Sequence, residues 1–204
     1  MGCFEAIEEI NYTDNDKGEY ALTLNASRSK ERLKTLSKLD SFMGINLPKN
    51  GDISSELYTV SEILKKTDGI KSVYHNTDFD NYIFKLSFKF DSTQALNEAL
   101  NNIFVGKSKK SEIADLKVFE MKDNLFKRLV SFSDTLPKLN KKQNELLKLI
   151  NGSTLTSIYR FTKPIKKISH ADAKLSKNKL AVMLKQDINQ IIKEPSKINN
   201  QIQF

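Results

Sequence analysis

The sequence predicts an α+β domain: an antiparallel sheet built from hairpins, with helices packed on one face. Three observations predict it. Alternating apolar and polar runs come in pairs around turn chemistry, which is the pattern of hairpins. Between the pairs lie stretches whose apolar residues recur every three or four positions, as on one face of a helix. The clearest strand, Tyr82 to Phe90, sets Phe84, Leu86, Phe88 and Phe90 against Ile83, Lys85, Ser87 and Lys89. A strand with two lysines on one side has a wet face, so its sheet is antiparallel and half-buried. Hairpins alternating with helices favour α+β over a parallel, doubly wound sheet.

Each element has its own warrant. Phe4 to Tyr12 alternates, with Phe4, Ala6, Glu8 and Ile10 on one side and Glu5, Ile7 and Glu9 on the other. Thr13 to Gly18 is rich in Asp, Asn and Gly, the residues that tolerate turn conformations. Glu19 to Asn25 returns, with Tyr20, Leu22 and Leu24 on one face. Ser27 or Ser29 is a cap for a helix carrying Leu33, Leu36 and Leu39. Gly44 to Asp52 reads as a loop. A second helix follows a cap at Ser54, presents Leu57, Val60, Ile63 and Leu64, and stops at Asp68-Gly69. Ile70 to His75 is a short strand and Asn76 to Asn81 a turn. After Phe90, Asp91 or Ser92 caps a helix with Leu96, Ala99, Leu100 and Ile103 inward.

The second half repeats the scheme. Leu116 to Met121 and Leu125 to Phe132 form a hairpin around Lys122-Asp123-Asn124. Lys138 to Leu149 is a helix, stopped by Asn151-Gly152. Thr154 to Phe161 is a strand ended by Pro164. Ile165 to Ser169 and Lys179 to Lys185 are strands, Asp187 starts a short helix that Pro195 ends, and Ile198 to Phe204 is a last strand.

A chain of 204 residues suits one large domain or two small ones. The reading is a terminus, residues 1–3, followed by a single domain over 4–204, with two subdomains meeting near 105–115 as the alternative. Charge breaks at the same place. Residues 1–105 hold 12 Lys/Arg against 16 Asp/Glu, whereas residues 106–204 hold 21 against 9. With 39% hydrophobic residues, twelve Phe and six Tyr, the composition is globular. No stretch approaches the ~20 apolar residues of a membrane span.

Little in the sequence points to catalysis, and an enzyme is not expected. Glycine-rich phosphate loops and glycine-flanked serine elbows are both missing. One cysteine, Cys3, and two histidines, His75 and His170, do not make a structural zinc site, so neither metal nor cofactor is expected. His75, beside a turn, and His170, in a polar loop, read as surface residues. Glu5, Glu8 and Glu9 read as a solvated strand end, and Asp78 with Asp80 as a turn. Three basic segments stand out, Lys107–Lys110, Lys138–Lys142 and Lys163–Lys167, and their charge is all lysine. Of the 21 basic residues after position 105, only Arg128 and Arg160 are arginine. Nucleic-acid surfaces usually mix arginine with stacking aromatics, so nucleic acid is an unlikely partner.

The sharpest motif is Met-Gly-Cys at the start. N-myristoylation wants Ser or Thr at position 6, where Ala6 stands. Gly2-Cys3 matches the last two positions of a bacterial lipobox, without its upstream apolar residues. No basic start with an apolar run of a secretory signal precedes it, so either the protein is cytosolic or the signal has been removed. Gly2 to Ile10, the turn, and Gly18-Glu19-Tyr20-Ala21-Leu22-Thr23-Leu24-Asn25 together resemble the mature start of uncharacterised bacteroidete-type lipoproteins. The stretch Asp78 to Asp91 and Tyr159-Arg160-Phe161 with Ile165 and Ile168 extend the resemblance. It implies Cys3 as the lipid-attachment residue, a domain on the periplasmic side or the cell surface, and no assigned activity. Two functions stand at this point. One is a membrane-anchored envelope domain that binds or scaffolds, with a protein partner at the envelope. The other is an intracellular binding protein that uses the basic half for an anionic partner, nucleic acid or anionic lipid.

Overall fold

The computed structural model of the chain describes residues 4–14, 16–36, 38, 41–42, 45–46, 49–107, 117–129 and 151–204. Cys3, most of the 105–115 junction and the predicted helix over 138–149 lie outside the described residues, as do Lys109, Lys110 and Lys138–Lys142.

The first half is built from β1 (Glu5–Asp14), β2 (Lys17–Asn25), α1 (Lys30–Leu36), β3 (Ser41–Phe42), β4 (Ile45–Asn46), α2 (Asn50–Lys65), β5 (Ile70–Asp78), β6 (Ile83–Phe90) and α3 (Thr93–Lys107). The second half supplies β7 (Phe119–Lys122), β8 (Leu125–Arg128), β9 (Thr154–Arg160), β10 (Lys167–Ile168), β11 (Lys174–Leu175), β12 (Ala181–Asp187), α4 (Ile188–Lys193) and β13 (Asn200–Gln203). This is an α+β fold. A seven-stranded sheet has the order β11-β12-β9-β1-β2-β6-β5, and a four-stranded sheet has the order β10-β13-β8-β7.

The predicted hairpins β1–β2 and β7–β8 form, in antiparallel register. One pairing in the large sheet departs from antiparallel. β9 lies parallel to β1, with Glu5 opposite Thr154 and Asn11 opposite Arg160. No tight turn joins these two strands, so their relative direction is free of the hairpin constraint. This pairing joins the two halves of the chain in the middle of one sheet.

Register sorts the side chains. Ile10 sits opposite Tyr20 on β2, which sits opposite Phe88 on β6, and opposite Tyr159 on β9. All four are buried, and with Tyr12, Phe90 and Val182 they floor the core. Val60 and Leu64 of α2 and Leu96, Ala99 and Leu100 of α3 close over this face, together with Phe119, Phe126 and Ile202 of the small sheet. Towards the start of β1 the same face is less covered, and Leu22 and Leu24 are 37% and 36% exposed. The other face is mixed: Lys85 and Lys89 of β6 are exposed while Ser87 between them and Ala21 opposite it are buried, and Arg160 bonds Glu9 at 2.8 Å and Asn11 at 3.0 Å.

Several local details differ from expectation. Helix α2 begins at Asn50 rather than after Ser54, because the Asp52 carboxylate accepts the Lys49 N–H at 2.8 Å. Ile45-Asn46, expected in a loop, pair with Ser41-Phe42. Strand β5 runs on to Asp78, since Asn76, Thr77 and Asp78 find partners on β6. The short strand β11 had no alternating run to announce it. At Gly18 and Gly69 the geometry requires glycine. A Cβ on Gly18 would lie 2.5 Å from the Asn11 carbonyl oxygen and 2.7 Å from the Phe90 ring, so glycine lets that ring cross β2. Gly69 stops the turn after α2 at φ +76°, a conformation open to glycine at little cost.

Candidate functional site

Strand β1 threads three polar places, one at each end and one in the middle. At its start, Phe4 is already tied to the sheet: its N–H donates to Ser153 Oγ at 3.2 Å and its carbonyl accepts from the Thr154 N–H at 3.2 Å. Glu5 accepts from Lys185 Nζ at 2.7 Å and Thr156 Oγ1 at 2.9 Å. Those two bonds, the lysine foremost, hold the Glu5 carboxyl below the usual carboxylate range. A small cavity of about 130 Å³ opens here between Phe4, Glu5, Arg28 and Lys185.

In the middle, Glu8 overturns the expectation of a solvated strand end. Glu8 shares the inward parity of Ile10 and is only 5% exposed. Its Oε1 accepts from Tyr159 Oη at 2.6 Å and Ser157 Oγ at 3.4 Å, and its Oε2 from Arg128 Nη2 at 3.3 Å. Arg128, on β8 of the small sheet, also donates to the Leu129 carbonyl at 3.0 Å and lies 4.7 Å from the centre of the Phe119 ring. Burial pushes the Tyr159 phenol well above its ordinary range, and the Glu8 charge beside it pushes the same way. Tyr159 therefore stays a neutral donor at any working pH. This buried pair ties one sheet to the other. Both partners are buried, Glu8 at 5% and Arg128 at 9% exposed, and the pair's role is structural.

At the far end, β1 opens into the larger pocket, about 250 Å³. Tyr12, Met121, Phe161 and Phe204 supply apolar wall; Asp16, Asp123, Thr162 and Lys163 supply polar lining. The wall is rigid because its rings pack on one another. Tyr12 stacks on Phe161 with centroids 5.6 Å apart, and Phe204 meets Phe161 edge-on at 4.6 Å. Thr93 donates its hydroxyl hydrogen to Asp16 Oδ1. The Tyr12 hydroxyl, 3.0 Å from Thr93 Oγ1, is then the donor in that second bond. Burial pushes the Tyr12 phenol well above its ordinary range, which keeps that proton in place. Asp123 occupies the β7–β8 turn at φ +52°, a left-handed conformation that Asp tolerates.

The other residues singled out by sequence fall elsewhere. His75 is not a surface residue beside a turn: it lies within β5, half-buried, with Nδ1 2.7 Å from Ser61 Oγ on α2. His170 does sit in a polar loop, its Nε2 3.0 Å from the Lys197 carbonyl and its Nδ1 accepting the Asp172 N–H at 3.1 Å. Asp78 accepts from Asn81, side chain and backbone, which holds its carboxyl below the usual range and makes a turn rather than a pair with Asp80. Among the described residues no three His, Cys, Asp or Glu side chains gather as a metal site. Likewise, no helix there is long and apolar enough to cross a membrane.

Sequence reasoning missed Arg128 and Tyr159 as partners of Glu8, and it missed the pocket. Only Glu8 carried a usable signal, an acidic residue on the inward side of a strand. The pocket walls come from four separate parts of the chain, and no local motif marks them.

No family model matches the chain, and no curated protein matches it. Among solved structures it is similar to the folded domain of the LppM protein of Mycobacterium tuberculosis. The TM-score is 0.44 at 11% identity, covering 100% of this chain and 91% of that one.

Proposed function

We propose that the chain is a membrane-anchored envelope lipoprotein domain, attached through Cys3, that acts by binding rather than by catalysis. The observation that carries the reading is the course of β1. It starts two residues after Cys3, at Glu5, and its other end reaches the pocket at Tyr12. At ~3.3 Å per residue, the seven steps from Glu5 to Tyr12 span roughly 23 Å. A lipid on Cys3 would hold the Glu5 end at the headgroups with almost no linker and turn the pocket away from the bilayer. One acyl chain binds a membrane marginally, whereas several chains on one residue hold firmly.

The test is to express the full gene, with any upstream segment, in the native host. The expected outcome is an intact mass raised by a diacylglyceryl or triacyl group. The detergent phase should hold the wild type and release Cys3→Ala as a folded protein. An unmodified mass, or a Cys3→Ala variant that stays with the membrane, removes the reading. It would also transfer weight to the anionic-partner alternative, for which Lys163, Lys166, Lys167 and Lys174 are exposed.

A further inference from the structure

We infer that the pocket at the end of β1 takes a small organic cation, an ammonium group carried on a compact apolar body. The inference rests on the binding reading above and supplies the class of ligand.

Size comes first. A volume of about 250 Å³ falls just under the ~300–1,000 Å³ usual for small-molecule sites, so the ligand is one ring or a short chain. Its body is matched by the apolar wall. Tyr12, Phe161 and Phe204 are each under a tenth exposed and pack on one another, so the wall is preformed.

Charge comes second. The polar lining carries two carboxylates, Asp16 and Asp123, against one ammonium, Lys163. This imbalance stands on a chain whose net charge is +8, so it does not follow from general acidity. Asp123 is exposed and makes no ion pair or hydrogen bond among the described residues, leaving its carboxylate open to a ligand. Asp16 engages Oδ1 with Thr93 and keeps Oδ2. Carboxylates beside a low-dielectric wall attract a cation more strongly than in open water. Aromatic rings add to the attraction wherever a face meets the cation. An anionic ligand would instead meet two like charges for one opposite. Lys163 works against a cation, which makes it a second, opposite-signed test.

The experiment is an amide-resolved NMR titration of the full chain with three probes of one shape: phenethylamine, phenethyl alcohol and phenylacetate. Phenethylamine is expected to shift the amides of Asp123, Thr162, Lys163 and Phe204, and to bind more tightly than the other two. Asp123→Asn, which suits the left-handed turn, should weaken phenethylamine by roughly two- to fivefold, the worth of an exposed ion pair. Lys163→Gln should tighten it by a similar factor. If phenylacetate or the alcohol binds the same amides more tightly, the pocket is a ligand site and the cation assignment is wrong. If phenethylamine binds both variants as it binds the wild type, the charge argument is wrong. If no probe shifts those amides, the pocket assignment and the ligand class fall together.

Discussion

Replacing Glu8 with alanine takes the acceptor from three donors at once: the Tyr159 hydroxyl, the Ser157 hydroxyl and Arg128 Nη2. Arg128 is 9% exposed and its Nε has no hydrogen-bond partner among the described residues, so its charge has little else to turn to. Removing one member of a buried ion pair costs about 3–5 kcal/mol, because the other charge stays buried without its counterion. An unmet buried hydroxyl costs ~1–3 kcal/mol by itself. The two losses overlap, since Tyr159 and Arg128 share one carboxylate. The Leu129 carbonyl and the Phe119 ring soften the cost for Arg128. About 4 kcal/mol is therefore expected for Glu8→Ala. Glu8→Gln keeps an acceptor for Tyr159 and loses only the charge, so it should cost less, about 1.5–3 kcal/mol. The assay is urea unfolding at neutral pH. With a slope of ~2 kcal/mol per molar, a loss of about 4 kcal/mol moves the midpoint by about 2 M. The paired variant Glu8→Leu with Arg128→Met should recover much of that, because a buried ion pair can be exchanged for apolar packing at small net cost. A loss below about 1 kcal/mol for Glu8→Ala would refute the argument, since it would mean that Arg128 reaches water without help.

Two further outcomes are expected. Phe88, buried on β6 and stacked on Tyr20 at 5.2 Å, should cost ~3–5 kcal/mol on truncation to alanine, and an effect near that of a surface residue would reject its core position. The Glu5 carboxyl, held low by Lys185 and Thr156, stabilises the fold above the ordinary carboxylate pKa, and this contribution is lost as pH falls through the depressed folded value. Wild type should thus exceed Glu5→Gln in stability at neutral pH and converge with it in acid; a gap that widened on acidification would reverse the assignment.

Local chemistry made much of the fold legible. Strand β6 follows from one run of four alternating apolar residues; Leu86, Phe88 and Phe90 are buried as that alternation predicts, while Ser87 on the opposite face is buried too. In the β7–β8 turn Asp123 takes the left-handed φ of +52° that its residue type tolerates. Asp187 caps α4 as its type suggests, accepting the N–H groups of Asn189 and Gln190. Parity even put Glu8 on the inward side with Ile10, although the residue type argued for water. Less could be read where a segment's fate depended on a distant partner. Strand β5 ended too early on paper because Asn76 to Asp78 are polar, and only pairing with β6 makes them strand.

What the sequence determined by itself is most of the local states: which longer runs are helix or strand and which face of each is apolar. These depend on residues a few positions apart, through side-chain spacing and backbone preference. Tertiary structure alone decided which edges meet and which polar groups are paired. The parallel register of β1 with β9 joins residues 149 apart, Glu5 with Thr154 among them. The Glu8–Arg128 pair spans 120 positions. Tyr12, Asp123, Phe161 and Phe204 come together as one pocket only after the two sheets have packed. No local energy selects those contacts; burial of the shared core does, and burial belongs to the whole chain.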